Sequence, residues 1–193
     1  KCGKTTDIIK TYYNYKEKDL NVLIMKPGDD TKAGTKIQSR SGAELDTDYV
    51  VGADVNVYNL IGYHIINHNL DCIIVDAAQF LTPKQVDELT DVVDNYDIPV
   101  LCYGLRADAF SYMFPGSKRL FEVADVFEEL KAVCKCGSKA TYNLRLNRID
   151  NELIPVFTGE QVSIDGIDAE YDSVCRPCYK KLRRKYVKEE ENK

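Results

Sequence analysis

The sequence predicts an α/β domain, a parallel sheet with helices on both faces, joined to a small metal-binding β lobe. Three observations predict it. Short apolar runs alternate with amphipathic helical stretches over residues 5–103. One of those runs, Cys72-Ile-Ile-Val75, ends in a carboxylate, Asp76. Four of the seven cysteines stand in two tight pairs, Cys134-Lys-Cys136-Gly137 and Cys175-Arg-Pro-Cys178. Strands that alternate with helices form parallel sheets covered on both sides. With 193 residues, 44% of them hydrophobic and 30% charged, the chain has globular proportions, which excludes wholesale disorder or a fibre.

Taken in order, Thr5 to Lys18 reads as a helix, with Ile8, Ile9, Tyr12 and Tyr13 on one stripe. Asn21-Val-Leu-Ile-Met-Lys26 is a buried strand, and Pro27 to Thr47, rich in Gly, Asp, Lys and Ser, reads as a long mobile loop. Val57 to Asn69 is a second helix and Cys72 to Val75 a second strand. A third helix has a start signal: Thr82 as N-cap, Pro83 as the first helical residue and Gln85 as capping-box partner. Val86, Leu89, Val92, Val93 and Tyr96 give it an apolar stripe, and Pro99 to Tyr103 is a third strand. After about Leu130 the pattern changes to short β pieces, Ala140 to Leu146 and Ile154 to Phe157, around the cysteine pairs.

The chain opens Lys1-Cys2-Gly3-Lys4-Thr5-Thr6 ahead of a helix, which is the last part of the phosphate-binding loop G-x-x-x-x-G-K-[ST]. The motif's first Gly would stand before Lys1. A glycine backbone wraps phosphate oxygens while the helix N-terminus adds partial positive charge. Lys4 would reach the β- and γ-phosphates, and the Thr5 hydroxyl would ligate Mg²⁺. Asp76, at the carboxyl end of an apolar strand, has the Walker B arrangement and would face the same ion. Residues 1–130 are therefore expected to bind nucleotide through a P-loop NTPase-like sheet. Residues 131–193 are expected to form the zinc lobe and a C-terminal helix. Four thiolates in two pairs suit a closed, structural, tetrahedral Zn²⁺. His64 and His68 are four apart on a helix, but no third ligand is evident, so they read as surface or packing residues.

Formal net charge is −5. The fourteen residues from Lys180 hold seven basic and three acidic side chains, so the body is more acidic still, and the tail reads as the solvated end of a terminal helix. An acidic body argues against nucleic acid as a partner. No apolar run approaches the ~20 residues that span a bilayer. An odd cysteine count without a basic-then-apolar leader fits a reducing compartment, so a cytoplasmic location is expected.

Taken together, these features resemble the type II thymidine kinases, of the bacterial and viral kind, over nearly the whole chain. The segments that carry the resemblance are Val75-Asp-Ala-Ala-Gln-Phe-Leu81, Val100-Leu-Cys-Tyr-Gly-Leu-Arg106, Gly116-Ser-Lys-Arg-Leu120, Glu129-Leu-Lys-Ala-Val-Cys134 and Tyr171-Asp-Ser-Val-Cys-Arg176. The resemblance implies transfer of the ATP γ-phosphoryl group to the 5′-hydroxyl of thymidine or deoxyuridine, usually by a homotetramer, with dTTP as a feedback inhibitor. It makes Gly3, Lys4 and Thr5 the phosphate-loop residues and Asp76 the Mg²⁺-side carboxylate. Asp30 and Lys32 fall where the family has Asp-Thr-Arg near the phosphates, and Lys for Arg loses a bidentate fork. Gln79 and Phe80 fall in the nucleoside-lining segment. Gly159 to Tyr171 matches the loop that closes over the base, with Tyr171 the aromatic expected against the nucleoside. Asn143 lies near where relatives contact the base's 5-substituent. Cys134, Cys136, Cys175 and Cys178 match the zinc ligands.

The departures bear on activity. The family's strand-end motif reads Asp-Glu-x-Gln-Phe, its Glu taking the proton of the 5′-hydroxyl, and that position is Ala77 here. General-base catalysis contributes ~10²–10⁴-fold, so impaired turnover is expected, with binding spared. Ala107 and Ala109 replace a Thr and a Phe of the family pattern, and Ile164-Asp-Gly166 replaces Ile-Gly-Gly in the closing loop. Three readings stay open: a thymidine kinase whose Glu has been replaced, a non-catalytic nucleoside- or nucleotide-binding regulator derived from one, and a different P-loop enzyme on the same sheet.

Overall fold

The computed structural model describes residues 2–28, 35–39, 42–159 and 169–191. These fall into two compact units, Gly3–Arg106 with Phe114–Phe127, and Lys1–Cys2 with Ala107–Met113 and Glu128–Lys193.

The first unit begins with α1 (Lys4–Lys16), followed by β1 (Val22–Pro27), which is buried along its length. The stretch expected as an open loop instead folds its described part into a hairpin, β2 (Lys36–Gln38) against β3 (Glu44–Asp46). Each of these strands has one buried residue, Ile37 and Leu45, flanked by exposed polar ones. Two apolar residues in a polar stretch are enough to seat the hairpin but too few to make a periodic signal. Next come β4 (Tyr49–Val51), α2 (Val57–Asn67), β5 (Cys72–Val75), a 3₁₀ turn (Ala78–Phe80), α3 (Pro83–Tyr96), β6 (Val100–Cys102) and α4 (Pro115–Val123).

The sheet order is β4-β1-β5-β6, every pair parallel. Alternate residues of β1 and β5 serve opposite faces. Leu23, Met25, Ile73 and Val75 pack with Val57 and Ile61 of α2 and Val86, Leu89 and Val92 of α3. Val22, Ile24, Cys72 and Ile74 pack with Ile8 of α1 and with Ile37 and Leu45 of the hairpin. Helices on both faces of a parallel sheet are thus present.

The α3 start is as expected: Thr82 Oγ1 accepts from the Gln85 N–H at 3.1 Å and the Gln85 side chain returns the bond. Gln85 Nε2 also donates to the carbonyls of Gly52 and Val55, at 2.8 and 3.0 Å. Glu88, buried one turn later, accepts from the Val57 N–H and from Asn56 Nδ2, both at 2.8 Å. Two polar residues of α3 thereby fix the entry to α2.

In the second unit, β7 (Ala132–Val133) and β8 (Lys139–Ala140) form a small hairpin. β9 (Tyr142–Ile149) is the centre of an antiparallel sheet, between β10 (Glu152–Val156) and β11 (Ala169–Val174). α5 (Arg176–Glu191) closes the chain. Ala140, Leu144, Val174 and Tyr179 bury themselves with Cys134 and Cys175. Asn143 Nδ2 donates to the Ala107 carbonyl at 2.8 Å and Tyr179 O–H to that of Ala109 at 2.7 Å, tying residues 107–113 to this lobe.

Candidate functional site

Gly3 caps α1 with φ 79°, the left-handed region that favours glycine, and supplies no side-chain hydrogen bond. Among the described residues, its chain neighbours aside, no atom lies within 4 Å of where a β-carbon at Gly3 would stand. The first-turn N–H groups of a helix lack intrahelical partners, and that is the arrangement that receives an anion. Lys4 and Thr5, both half-buried, follow at once.

The sheet's carboxyl edge supplies the second component. Asp76 extends the β5 ladder by one bond, its N–H donating to the Met25 carbonyl at 3.0 Å. Tyr103, just past β6, donates its hydroxyl to Asp7 Oδ2 of α1 at 3.1 Å and lies 3.2 Å from Thr11 Oγ1. The opening turns of α1 are thus tied to the carboxyl end of β6, the neighbour of β5. Gly3, Lys4, Thr5 and Asp76 therefore share one edge. A hydroxyl and a carboxylate are the hard oxygen donors that Mg²⁺ prefers, and a glycine-led helix N-terminus suits phosphate oxygens.

Ala77 is buried and left-handed, at φ 52° and ψ 34°. Its methyl offers no proton acceptor. The chain then turns through Ala78–Phe80. Gln79 is buried and its Oε1 accepts from the Leu105 N–H at 3.1 Å. Phe80 stands edge-on to Phe114, ring centroids 5.5 Å apart. Gly116 lets α4 reach this turn: a β-carbon there would come within 2.3 Å of the Leu81 carbonyl oxygen.

Tyr171 lies on β11, in register with Arg145 of β9. Leu144 and Val174 face the lobe's core, so alternation puts Tyr171 on the opposite face, with Asn143, Arg145 and Ser173. Asp30, Lys32 and the closing-loop residues 160–168, including Ile164-Asp-Gly166, lie outside the described residues.

The Sγ atoms of Cys134, Cys136, Cys175 and Cys178 lie within 4.8 Å of one another. Zn–S bonds of about 2.3 Å in a tetrahedron set sulfurs roughly 3.8 Å apart, and the Cys136 and Cys175 sulfurs are 3.6 Å apart. The first pair sits in the β7–β8 turn, where the left-handed Gly137 (φ 86°) donates to the Cys134 carbonyl at 2.8 Å. Hydrogen bonds from Ser138, then from the other thiols, bring the Cys136 thiol down to about 6. Among the described residues, this is the one group of three or more such side chains placed to hold a metal ion. His64 instead meets the Tyr49 hydroxyl through Nδ1, at 3.1 Å, with the His68 ring 4.9 Å away.

The sequence did not single out Tyr103, Asp7 or Lys26, which is fully buried at the end of β1. The available signal was slight: a lysine closing an apolar run.

The thymidine kinase family model matches residues 1–179. A thymidine kinase of Haemophilus influenzae is 43% identical over 180 residues, 93% of this chain and 91% of the relative. One of Shewanella oneidensis is 42% identical over 182 residues, 94% and 92% of the two chains. One of Rhodopirellula baltica is 42% identical over 180 residues, covering 93% and 83%. No helix among the described residues is long and apolar enough to cross a membrane.

Proposed function

This chain belongs to the thymidine kinase family, and we propose that it binds ATP and thymidine (or deoxyuridine) and transfers the γ-phosphoryl group to the nucleoside 5′-oxygen. The observation that supports this reading most directly is the shared edge of Gly3, Lys4, Thr5 and Asp76 at the carboxyl ends of parallel strands. In the reaction, the 5′-oxygen attacks the γ-phosphorus in line. The new P–O bond forms as the β–γ bridging bond breaks, and ADP leaves. The Gly3 backbone and the α1 N-terminus hold phosphate oxygens, and Lys4 offsets their charge. Mg²⁺, when bound, neutralises charge on the phosphates, with Thr5 and Asp76 as its protein donors. Asp30 and Lys32 serve the phosphate side. Gln79, Phe80 and Tyr171 serve the nucleoside. Residues 1–130 do the nucleotide work. Residues 131–193 carry a structural Zn²⁺ on Cys134, Cys136, Cys175 and Cys178. The protein works in the cytoplasm as a homotetramer, with dTTP as a feedback inhibitor.

Ala77 limits the rate. With no carboxylate at that position, the 5′-hydroxyl proton passes to water. Positioning and electrostatics still act, so slow turnover remains. The same residue supports a second reading, a regulator that binds nucleoside or nucleotide without catalysis.

Calorimetric titration with Mg·ATP and with thymidine, alongside a phosphorylation assay, tests both. Binding of both ligands with slow phosphorylation supports the kinase. Binding without product supports the regulator. Absence of binding to either overturns the reading. In Lys4→Met, Mg·ATP affinity should fall at least tenfold.

A further inference from the structure

The four clustered thiols differ sharply in exposure. Cys134 and Cys175 are buried, at 4% and 3% exposure, while Cys178 is half-buried and Cys136 is exposed. Of the seven cysteines, Cys136 is the only exposed one. The turn that carries it explains this. Residues 135–139 are all exposed. The Gly137 N–H donates to the Cys134 carbonyl and the Cys134 N–H to the Ser138 carbonyl, both at 2.8 Å, so Cys134 is held at the base of the turn and Cys136 stands at its tip. Cys175 lies instead among Leu144, Val174 and Tyr179. Its sulfur is nevertheless 3.6 Å from that of Cys136. A disulfide bond is about 2.05 Å long, so joining the two sulfurs takes an approach of roughly 1.5 Å.

We propose that Cys136 is an oxidation site, the sulfur through which a hydroperoxide converts the cysteine cluster to a Cys136–Cys175 disulfide with loss of its metal. This rests on the structural Zn²⁺ assigned to the cluster. Exposure selects Cys136 as the sulfur that meets the oxidant, and the short approach selects Cys175 as its partner. The Cys136 sulfur, a thiolate while it serves a metal, attacks one oxygen of hydrogen peroxide. The O–O bond breaks, Cys136 becomes a sulfenic acid and hydroxide leaves. The Cys175 thiolate then attacks the Cys136 sulfur. The S–S bond forms as the S–O bond breaks, and a second hydroxide leaves. Two thiolates have then given two electrons to one peroxide. Cys134 and Cys178 alone do not complete a tetrahedral site, which gives up its metal.

The test follows metal and sulfur separately. Metal analysis of the full chain counts zinc before any oxidant is added. One equivalent of hydrogen peroxide follows, with released zinc read by a chromophoric chelator and the cysteines mapped by alkylation and peptide mass. One zinc should leave for each disulfide formed, and the linked pair should be Cys136–Cys175. Dithiothreitol with Zn²⁺ should reverse both changes. Cys136→His keeps four ligands without an oxidisable sulfur at the tip and should release zinc at least tenfold more slowly. Cys178→His should stay within about threefold of the original. First oxidation at Cys178 or Cys2, a disulfide within either close pair, or equal release from the two variants overturns the proposal. If Cys136→His fails to hold zinc, the mapping of the unaltered chain decides alone. Failure of the underlying reading looks different: no zinc is found before peroxide is added, which overturns both.

Discussion

The Ala77 N–H donates to the carboxylate of its predecessor, Asp76, with 2.8 Å between Ala77 N and Asp76 Oδ1. This bond closes a tight turn at the end of β5 and aims one carboxylate oxygen back at the chain. The side chain at 77 then leaves from a left-handed residue. Substituting Ala77→Glu keeps that backbone and adds a proton acceptor. Turnover of thymidine should rise at least tenfold, while affinities for thymidine and Mg·ATP stay within about twofold. Steady-state kinetics with calorimetry checks both. Equal turnover would remove the role assigned to a carboxylate at this position.

Metal removal should loosen the second unit. Cys134 and Cys175 belong to its small core, so Cys175→Ser removes both one of the four clustered thiols and a packed sulfur. Metal analysis should find about one zinc per chain, and chelation should lower the melting temperature. A metal-free protein of undiminished stability would contradict a structural ion.

Gly116→Ala should destabilise the first unit by about 3 kcal/mol. Its added methyl meets three carbonyl oxygens, those of Leu81, Gln79 and Ala78, at 2.3, 3.0 and 3.1 Å, and forced overpacking costs on this order. Denaturant titration reads it. Because Gln79 and Phe80 sit on that turn, thymidine affinity should fall as well.

Glu88→Ala should cost about 2–3 kcal/mol. It leaves the Val57 N–H and the Asn56 amide without their buried, charged acceptor. Glu88→Gln keeps one acceptor oxygen for two donors and sets its own amide N–H against the other, so it too should be destabilising, by less than Glu88→Ala.

His64 gives the pH dependence. Burial, then the neighbouring His68, holds its pKa below the ordinary 6.5, against a smaller raising effect from Asp48. The unfolded chain therefore binds a proton that the folded chain refuses, just below pH 6.5. Stability should rise with pH across that window and flatten above it. Thermal melts of the original and of His64→Gln should show a shallower slope in the variant.

Much of the fold was legible because its signals were local. Thr82, Pro83 and Gln85 spell out a helix start within four residues, and Cys72 to Val75 needs no context to read as a buried strand. The β2–β3 hairpin was not legible, since Ile37 and Leu45 are lone apolar residues whose burial is decided by β1 and α1. α4 was missed although Pro115 marks its first turn. Its register depends on Gly116 meeting a turn more than thirty residues earlier. Lys4, Thr5 and Asp76 stood out by motif. Lys26 and Tyr103 did not, because the burial of the one and the hydroxyl contact of the other with Asp7 arise from packing that a linear pattern does not show.

The cysteine pairs have a last consequence. Cys136 and Cys175 lie 39 positions apart, yet their sulfurs approach to 3.6 Å. With an ion between them, the intervening excursion becomes a closed ring. One cut by a protease inside that ring should release nothing: the two fragments should travel together through gel filtration and separate only when a chelator is added.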